Sequence, residues 1–214
     1  MNELRYILVS DGSSDISLLR IIDWVLAQKS KKIAVYNQWA DFRGLPNPPK
    51  GLSERILRCM ELYGSCDILF IHRDAEREPR SKRVREIEDS IARIKSGTNL
   101  PPYICVVPVR MKEAWLLFDT NAIRQAAGNP NGRISLKEIP VDQLEKLPDP
   151  KQILYELLRN ASGLSGRRRR KFNVARSAIR IAQFIQDFSP LRKLPAFQQF
   201  ESELYSLLEE ESWS

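Results

Sequence analysis

The chain has 214 residues, 43% of them hydrophobic, and a net charge of +7, enough apolar material for a sizeable core and too much for a disordered chain. No stretch approaches the roughly 20 uninterrupted apolar residues of a bilayer span. Three cysteines without C-x-x-C spacing argue against a disulfide framework or a structural zinc, and the single histidine, His72, excludes a multi-histidine zinc hydrolase.

The N-terminus runs through Glu3 and Arg5 straight into a strand-like segment, so no signal peptide is expected and the protein reads as cytoplasmic. Tyr6–Ser10 is a short apolar run that ends in Asp11-Gly12-Ser13-Ser14-Asp15. The apolar residues from Ile16 to Leu26 then suit a helix, with Ser13 or Ser14 as its N-cap. Strand, tight turn and helix open an α/β unit. Lys32–Trp39 predicts a second strand, and three prolines with Gly44 keep Asp41–Lys50 irregular. Ser53–Tyr63 predicts a helix ending near Gly64. Asp67–His72 is a third strand, whose four consecutive apolar residues point to burial on both faces, as in a parallel sheet. A helix is expected over about Ser81–Lys95 and a fourth strand over Tyr103–Val109.

Beyond about Asn121 the pattern is helical, over Asp149–Asn160, Phe172–Asp187 and Pro195–Glu211, with a basic helix beginning at Arg167–Lys171. The expected architecture is therefore α/β, a mostly parallel four-stranded sheet flanked by helices (residues 1–120) with a helical C-terminal extension (residues 121–214) packed on it. The charge is concentrated in that extension. Ten Lys or Arg face one acid, Asp187, between Arg159 and Lys193, and the rest of the chain is close to neutral. Such a block favours a polyanionic partner, a nucleic acid or a phosphorylated ligand; a solvated helix face is the plainer reading.

In a parallel sheet, ligands gather at the carboxyl ends of the strands. Asp11, Gly12 and Asp15 follow the first strand; His72, Arg73, Asp74 and Glu76 the third; Arg110, Lys112 and Glu113 the fourth. Taken singly, each has a local explanation: a turn at Asp11-Gly12, an early-helix acid at Asp15, a salt-bridge lattice around Asp74 and Glu76, a core histidine at His72. Together, carboxylates after three strands repel one another unless a cation lies between them. Mg²⁺ suits such oxygens, and paired ions can clamp a phosphodiester displacement while Arg and Lys hold the other phosphates.

The order of LVSDGSSD (Leu8–Asp15) and ILFIHRDAE (Ile68–Glu76) resembles the Toprim fold of topoisomerases, primases and overcoming-lysogenization-defect nucleases. With VPVRMKEAWLLFD (Val107–Asp119), DPK (Asp149–Lys151) and the arginine run near Arg167, most of the chain is similar to the bacterial Toprim-like domain of unknown function 4276. The resemblance implies a Mg²⁺-dependent nuclease, with Mn²⁺ as a substitute, acting on DNA or RNA in an anti-phage defence or toxin-type system. Asp11, Asp74 and Glu76 would be catalytic and, with Asp15, would hold metal; His72 and Glu113 would support them. The usual first acid is Glu, so Asp11 is one methylene short, and the second motif aligns on either His72/Asp74 or Asp74/Glu76. Arg73, Arg110, Lys112, Lys151, Arg167, Arg168, Arg169, Arg170, Lys171, Arg176 and Arg180 would follow the phosphate backbone. Such proteins often accompany an ABC-type ATPase, and this chain has no Walker A motif of its own. The other expectation is a non-catalytic adaptor that binds such an ATPase, a nucleic acid, or both.

Overall fold

The structure, a computed structural model, describes residues 2–29, 33–94, 99–211 and 213. Four parallel strands, β1 (Asn2–Val9), β2 (Ile33–Trp39), β3 (Ile68–His72) and β4 (Tyr103–Val106), form one sheet in the order β2-β1-β3-β4. The expected α/β class, parallel sheet and helical C-terminal region are what the chain adopts. Lys32 and Lys95, expected at the ends of a strand and a helix, lie outside the described residues.

Alternation along the strands sorts the core into two layers. Leu4, Tyr6, Leu8, Ile68, Phe70, Ile104 and Val106 point to one face, and Ile7, Val9, Leu69, Ile71, Cys105 and Val107 to the other. The second face is covered by α2 (Leu52–Tyr63) and α3 (Arg80–Ile94), which contribute Ile56, Cys59, Ile87 and Ile91. Gly64 ends α2 with a positive φ (75°), in a region that only glycine enters without strain.

The first face is covered by α1 (Leu18–Lys29) and, from the helical region, by α4 (Thr120–Ala126), α5 (Pro150–Ala161), α7 (Val174–Phe184) and α8 (Pro195–Glu210), whereas α6 (Gly166–Lys171) buries no residue. Leu154, Ile181, Phe197 and Phe200 share one apolar cluster with the strands. Trp115 is fully buried against Phe197 (ring centroids 5.3 Å), and Phe70 meets Phe200 at 6.3 Å. Phe200→Ala opens a cavity between sheet and α8, and about 3–5 kcal/mol of stability should be lost. Urea denaturation should show this as a lower midpoint.

Two departures from the expected elements have clear causes. The chain after β1 makes a 3-10 helix, Ser13–Ser17, before α1, because Asp15 bonds back to Gly12 and tightens the turn. The basic run does not continue into α7. Asn173 caps α7 by accepting from the Arg176 backbone N–H, and Phe172 ends α6 in an extended conformation. No helix among the described residues is long and apolar enough to cross a membrane.

Candidate active site

The order β2-β1-β3-β4 places the topological switch between β1 and β3, where crossovers leave in opposite directions and open a crevice at the strand ends. A cavity of about 330 Å³ lies there. The turn after β1 supplies Asp11, Gly12, Ser14 and Asp15; the segment after β3 supplies His72, Arg73, Asp74 and Glu76. The 3-10 helix Lys112–Leu116 after β4 brings Lys112 and Glu113, α3 brings Arg83, and the first turn of α5 brings Lys151. Every candidate that the sequence places after β1 and β3 thus borders one cavity.

Inside it the charges divide into two groups. Asp15, His72, Lys112 and Glu113 are 2–4% exposed, and among the described residues they are the only buried Asp, Glu, Lys, Arg or His. The Lys112 ammonium donates to Asp15 Oδ1 at 2.7 Å and to Ser14 Oγ at 2.9 Å, with Glu113 Oε1 at 3.4 Å. The Gly12 N–H donates to the other Asp15 oxygen at 2.8 Å. His72 Nδ1 lies 2.9 Å from the Val106 carbonyl, which can only accept, so the ring donates there. Its Nε2 is left facing Asp74 Oδ1 at 3.4 Å and Asp15 Oδ1 at 3.9 Å. Asp74 Oδ1 also accepts from the Lys112 backbone N–H at 2.9 Å.

The outer group is engaged with arginines. Asp11, half exposed, meets Arg73 at 3.2 Å and Arg55 at 3.5 Å. Glu76, 62% exposed at its side chain, meets Arg83 at 3.0 Å. Glu76 (φ 56°) and Arg110 (φ 60°) both hold left-handed backbones, and the Glu76 N–H donates to the Arg110 carbonyl. Two hydrogen-bonded non-glycine residues in this region store strain that a surface loop gains nothing from keeping.

The environments move the two central aspartates in opposite directions. Burial acts to raise the Asp15 carboxyl, but His72 and the Lys112 ammonium outweigh it, together with hydrogen bonds from Lys112 and Gly12, and hold it below its ordinary value. Asp74 is raised, chiefly by burial and further by Glu113, against the pull of His72 and Lys112. Burial lowers the Lys112 ammonium, and the carboxylates of Glu113, Asp15 and Asp74 more than restore it. Two carboxyls pushed apart in one cavity are how acid–base roles are divided.

The expected Mg²⁺ set does not fit this arrangement. Asp11 and Glu76 are turned onto arginines, and both oxygens of Asp15 are taken by Lys112 and Gly12. Among the described residues no group of three or more His, Cys, Asp or Glu side chains comes close enough to hold one metal ion. The cation between the buried carboxylates is the chain's own ammonium.

Of the expected phosphate contacts, Arg73 and Lys151 border the cavity, and Arg110 borders an adjoining one of about 420 Å³ with Glu76 and Asp149. Arg167, Arg168, Arg169, Arg170 and Lys171 form α6 and are all exposed; Arg169 additionally bonds the Arg159 carbonyl and Asn160 at the end of α5. Arg176 and Arg180 lie on α7, which packs against the 3-10 helix that carries Asp15, and both are exposed. Arg55 and Arg83 are site residues that the sequence does not single out. Arg83 donates to the Asp74 carbonyl at 3.1 Å, and Arg55 to the Ser10 carbonyl at 2.7 Å. Arg83 sits three residues before Glu86 on α3, a visible pair; Arg55 is 45 residues from Ser10 and carries no local signal.

Comparison with protein-family profiles, with curated proteins and with solved structures gives no match for this chain.

Proposed function

We propose that this protein hydrolyses phosphodiester bonds in nucleic acid, as a Toprim-like nuclease of the cytoplasm. The observation that carries the reading is the gathering, at the switch-point cavity, of Asp15, His72, Lys112 and Glu113, the buried Asp, His, Lys and Glu side chains among the described residues, beside an aspartate whose carboxyl is raised. Buried ionic groups cost several kcal/mol each in desolvation, so a fold that needed only stability would fill this crevice with apolar side chains.

The chemistry follows from the neighbours. Asp74 and His72 Nε2 face each other with room for one shared proton, and ionised Asp74 is placed to take a proton from an attacking water. Water oxygen bonds to phosphorus, and the bond to the leaving oxygen breaks. The charge on the phosphoryl oxygens is met by Lys112 and Arg73, with Lys151 at the rim. The arginines of α6 and α7 suit a strand that leads into the cavity. A divalent ion bound at Asp15 would first have to displace the Lys112 ammonium, so no step is assigned to one.

The test is incubation of wild type and Asp74→Ala with plasmid, linear DNA and bulk tRNA, in Mg²⁺, in Mn²⁺ and in EDTA. Cleavage by wild type alone supports the reading and names the polymer; loss in EDTA adds a divalent cation to its requirements. Equal cleavage by Asp74→Ala removes the site assignment. Replacing Arg167, Arg168 and Arg170 by Ala should weaken oligonucleotide binding evenly across sequences, and should lower the salt slope of log K by roughly 0.7–0.9 for each phosphate no longer neutralised. A slope unchanged in that variant would place the strand elsewhere.

A second reading draws on the arginine pairing of Asp11 and Glu76, which leaves two expected catalytic acids neutralised. It makes the chain a non-catalytic adaptor for nucleic acid or for an ABC-type ATPase. Salt-dependent binding without turnover of any polymer, in any metal, would favour it.

A further inference from the structure

A second cavity, of about 310 Å³, adjoins the first and shares Asp11 with it. It lies between the turn after β1 and the proline-containing loop after β2. Its walls include Trp39, Phe42, Pro48 and Pro49, with Asp41 and Arg43 at the polar side. None of these residues has a part in the acid–base cluster.

The walls are held in place. The Trp39 indole N–H donates to Ser10 Oγ at 2.9 Å, which fixes the ring against the end of β1. The Arg43 guanidinium lies 5.1 Å from the Trp39 ring centroid, within cation–π distance. Asp41 accepts from Arg43 Nε at 2.8 Å and from its terminal nitrogen at 2.6 Å. The Tyr63 hydroxyl ties the Asp41 backbone at both its N–H and its carbonyl. Three prolines in the same loop limit its freedom further.

The chemistry of this cavity differs from that of its neighbour. Arg43 is neutralised by Asp41, and Arg55, which donates from one terminal nitrogen to the Ser10 and Asp11 carbonyls, has the Asp11 carboxylate 3.5 Å away. Among the described residues no free positive charge lines the space, so it does not suit a phosphate. Flat aromatic, proline and guanidinium surfaces instead suit an uncharged planar ring, and stacking on such surfaces is how single-stranded nucleic acids are held without regard to sequence. The volume is at the lower end of the range for small-ligand sites, roughly 300–1,000 Å³.

We infer that the cavity of Trp39, Phe42, Arg43 and Pro48–Pro49 holds one unpaired nucleobase of the strand whose phosphate lies at Asp74. The inference rests on the phosphodiester reading and adds to it a substrate class: single-stranded or locally unpaired nucleic acid. A base inside a duplex keeps both faces stacked and cannot enter a walled cavity without being turned out.

The experiment is an abasic scan. A fluorescein-labelled ten-nucleotide single strand is prepared with one abasic residue at each position in turn. Binding by the intact protein is followed by fluorescence anisotropy in EDTA, and the strand is run on a denaturing gel after each titration so that only uncut substrate is scored. For wild type, one position should stand out, with affinity falling on the order of tenfold when its base is missing. In Trp39→Ala the same position should lose its effect, whereas Trp39→Phe, which keeps a ring, should retain most of it. Arg43→Ala should halve or remove the effect without risk to the core, because Arg43 is mostly exposed. Salt-dependent binding with a flat scan in wild type overturns the base site and leaves the phosphodiester reading standing. A scan equally sharp in wild type and in both alanine variants also overturns it. Absence of any oligonucleotide binding overturns both readings together.

Discussion

Asp74→Asn is expected to reduce cleavage by roughly 10²- to 10⁴-fold, the range for loss of a positioned general base, and at the same time to make the protein more stable. Burial is the main reason that the Asp74 carboxyl titrates above its ordinary value of 3.8, with Glu113 adding to it. A group raised on folding favours the folded state below its unfolded pKa and gives that up as pH rises through the folded one. At neutral pH ionised Asp74 is therefore a cost. Asparagine removes the charge, matches the shape, and keeps an oxygen to accept the Lys112 backbone N–H. The gain should be roughly 0.5–2 kcal/mol, or several degrees in Tm for a chain of this length. Urea midpoints measured from pH 8 downward should show the advantage of Asp74→Asn shrinking as the wild-type carboxyl takes up its proton. Asp15 has the opposite sign. Its carboxyl is held low, so its contribution is present at neutral pH and is lost only as pH falls below 3.8 toward the folded value. Asp15→Asn should thus destabilise at pH 7. A variant of Asp74 that is inactive but less stable would point to a purely structural role.

That division between the two aspartates is not legible in the sequence, although their meeting is. Asp11 to Asp15, His72 to Glu76 and Lys112–Glu113 each follow a strand, and a parallel sheet brings strand ends to one edge whatever the details of packing. The fold class follows from the same regularity, since Ile68–Ile71 admits burial on both faces and the helices come at the spacing of crossovers. Direction and depth of the side chains do not follow. Asp15 is buried because Gly12 and Asp15 bond each other and wind Ser13–Ser17 into a 3-10 turn. Asp11, at the start of the same turn, is left at the rim for Arg73 and Arg55. The pairing with Arg55 joins residues 44 positions apart through α2, and no local pattern announces it. Lys112 follows β4 together with Arg110, a placement that in sequence suggests a phosphate contact at the surface. Its burial comes from the next residues, Ala114 to Leu117, which are fully apolar and draw the 3-10 helix into the core. The break between α6 and α7 depends on one capping side chain, Asn173, inside a run that composition alone presents as continuous.

Lys112→Met should be the most destabilising single change at the site, at about 3–5 kcal/mol. Methionine fills much the same space, so packing changes little, but Asp15 and Glu113 are left buried without the ammonium that lies 2.7 Å and 3.4 Å from them. Among the described residues the other side chain facing Asp15 is His72, whose Nε2 lies at 3.9 Å and offsets the charge only where the ring carries a proton. The cost belongs to the uncompensated carboxylates and not to the missing lysine itself, and a double-mutant cycle separates the two. Lys112→Met combined with Asp15→Asn removes one charge of each sign, keeps an oxygen for the Gly12 N–H, and should recover a large part of the loss. Simple additivity of the two single changes would mean that Lys112 and Asp15 do not act on one another, against the geometry. On the phosphodiester reading, cleavage should stay absent in the double variant even as stability returns, because the cavity still lacks the Lys112 ammonium proposed to meet the phosphoryl charge. Recovery of fold without recovery of activity is the result that distinguishes a cation kept for chemistry from one kept only to neutralise its neighbours.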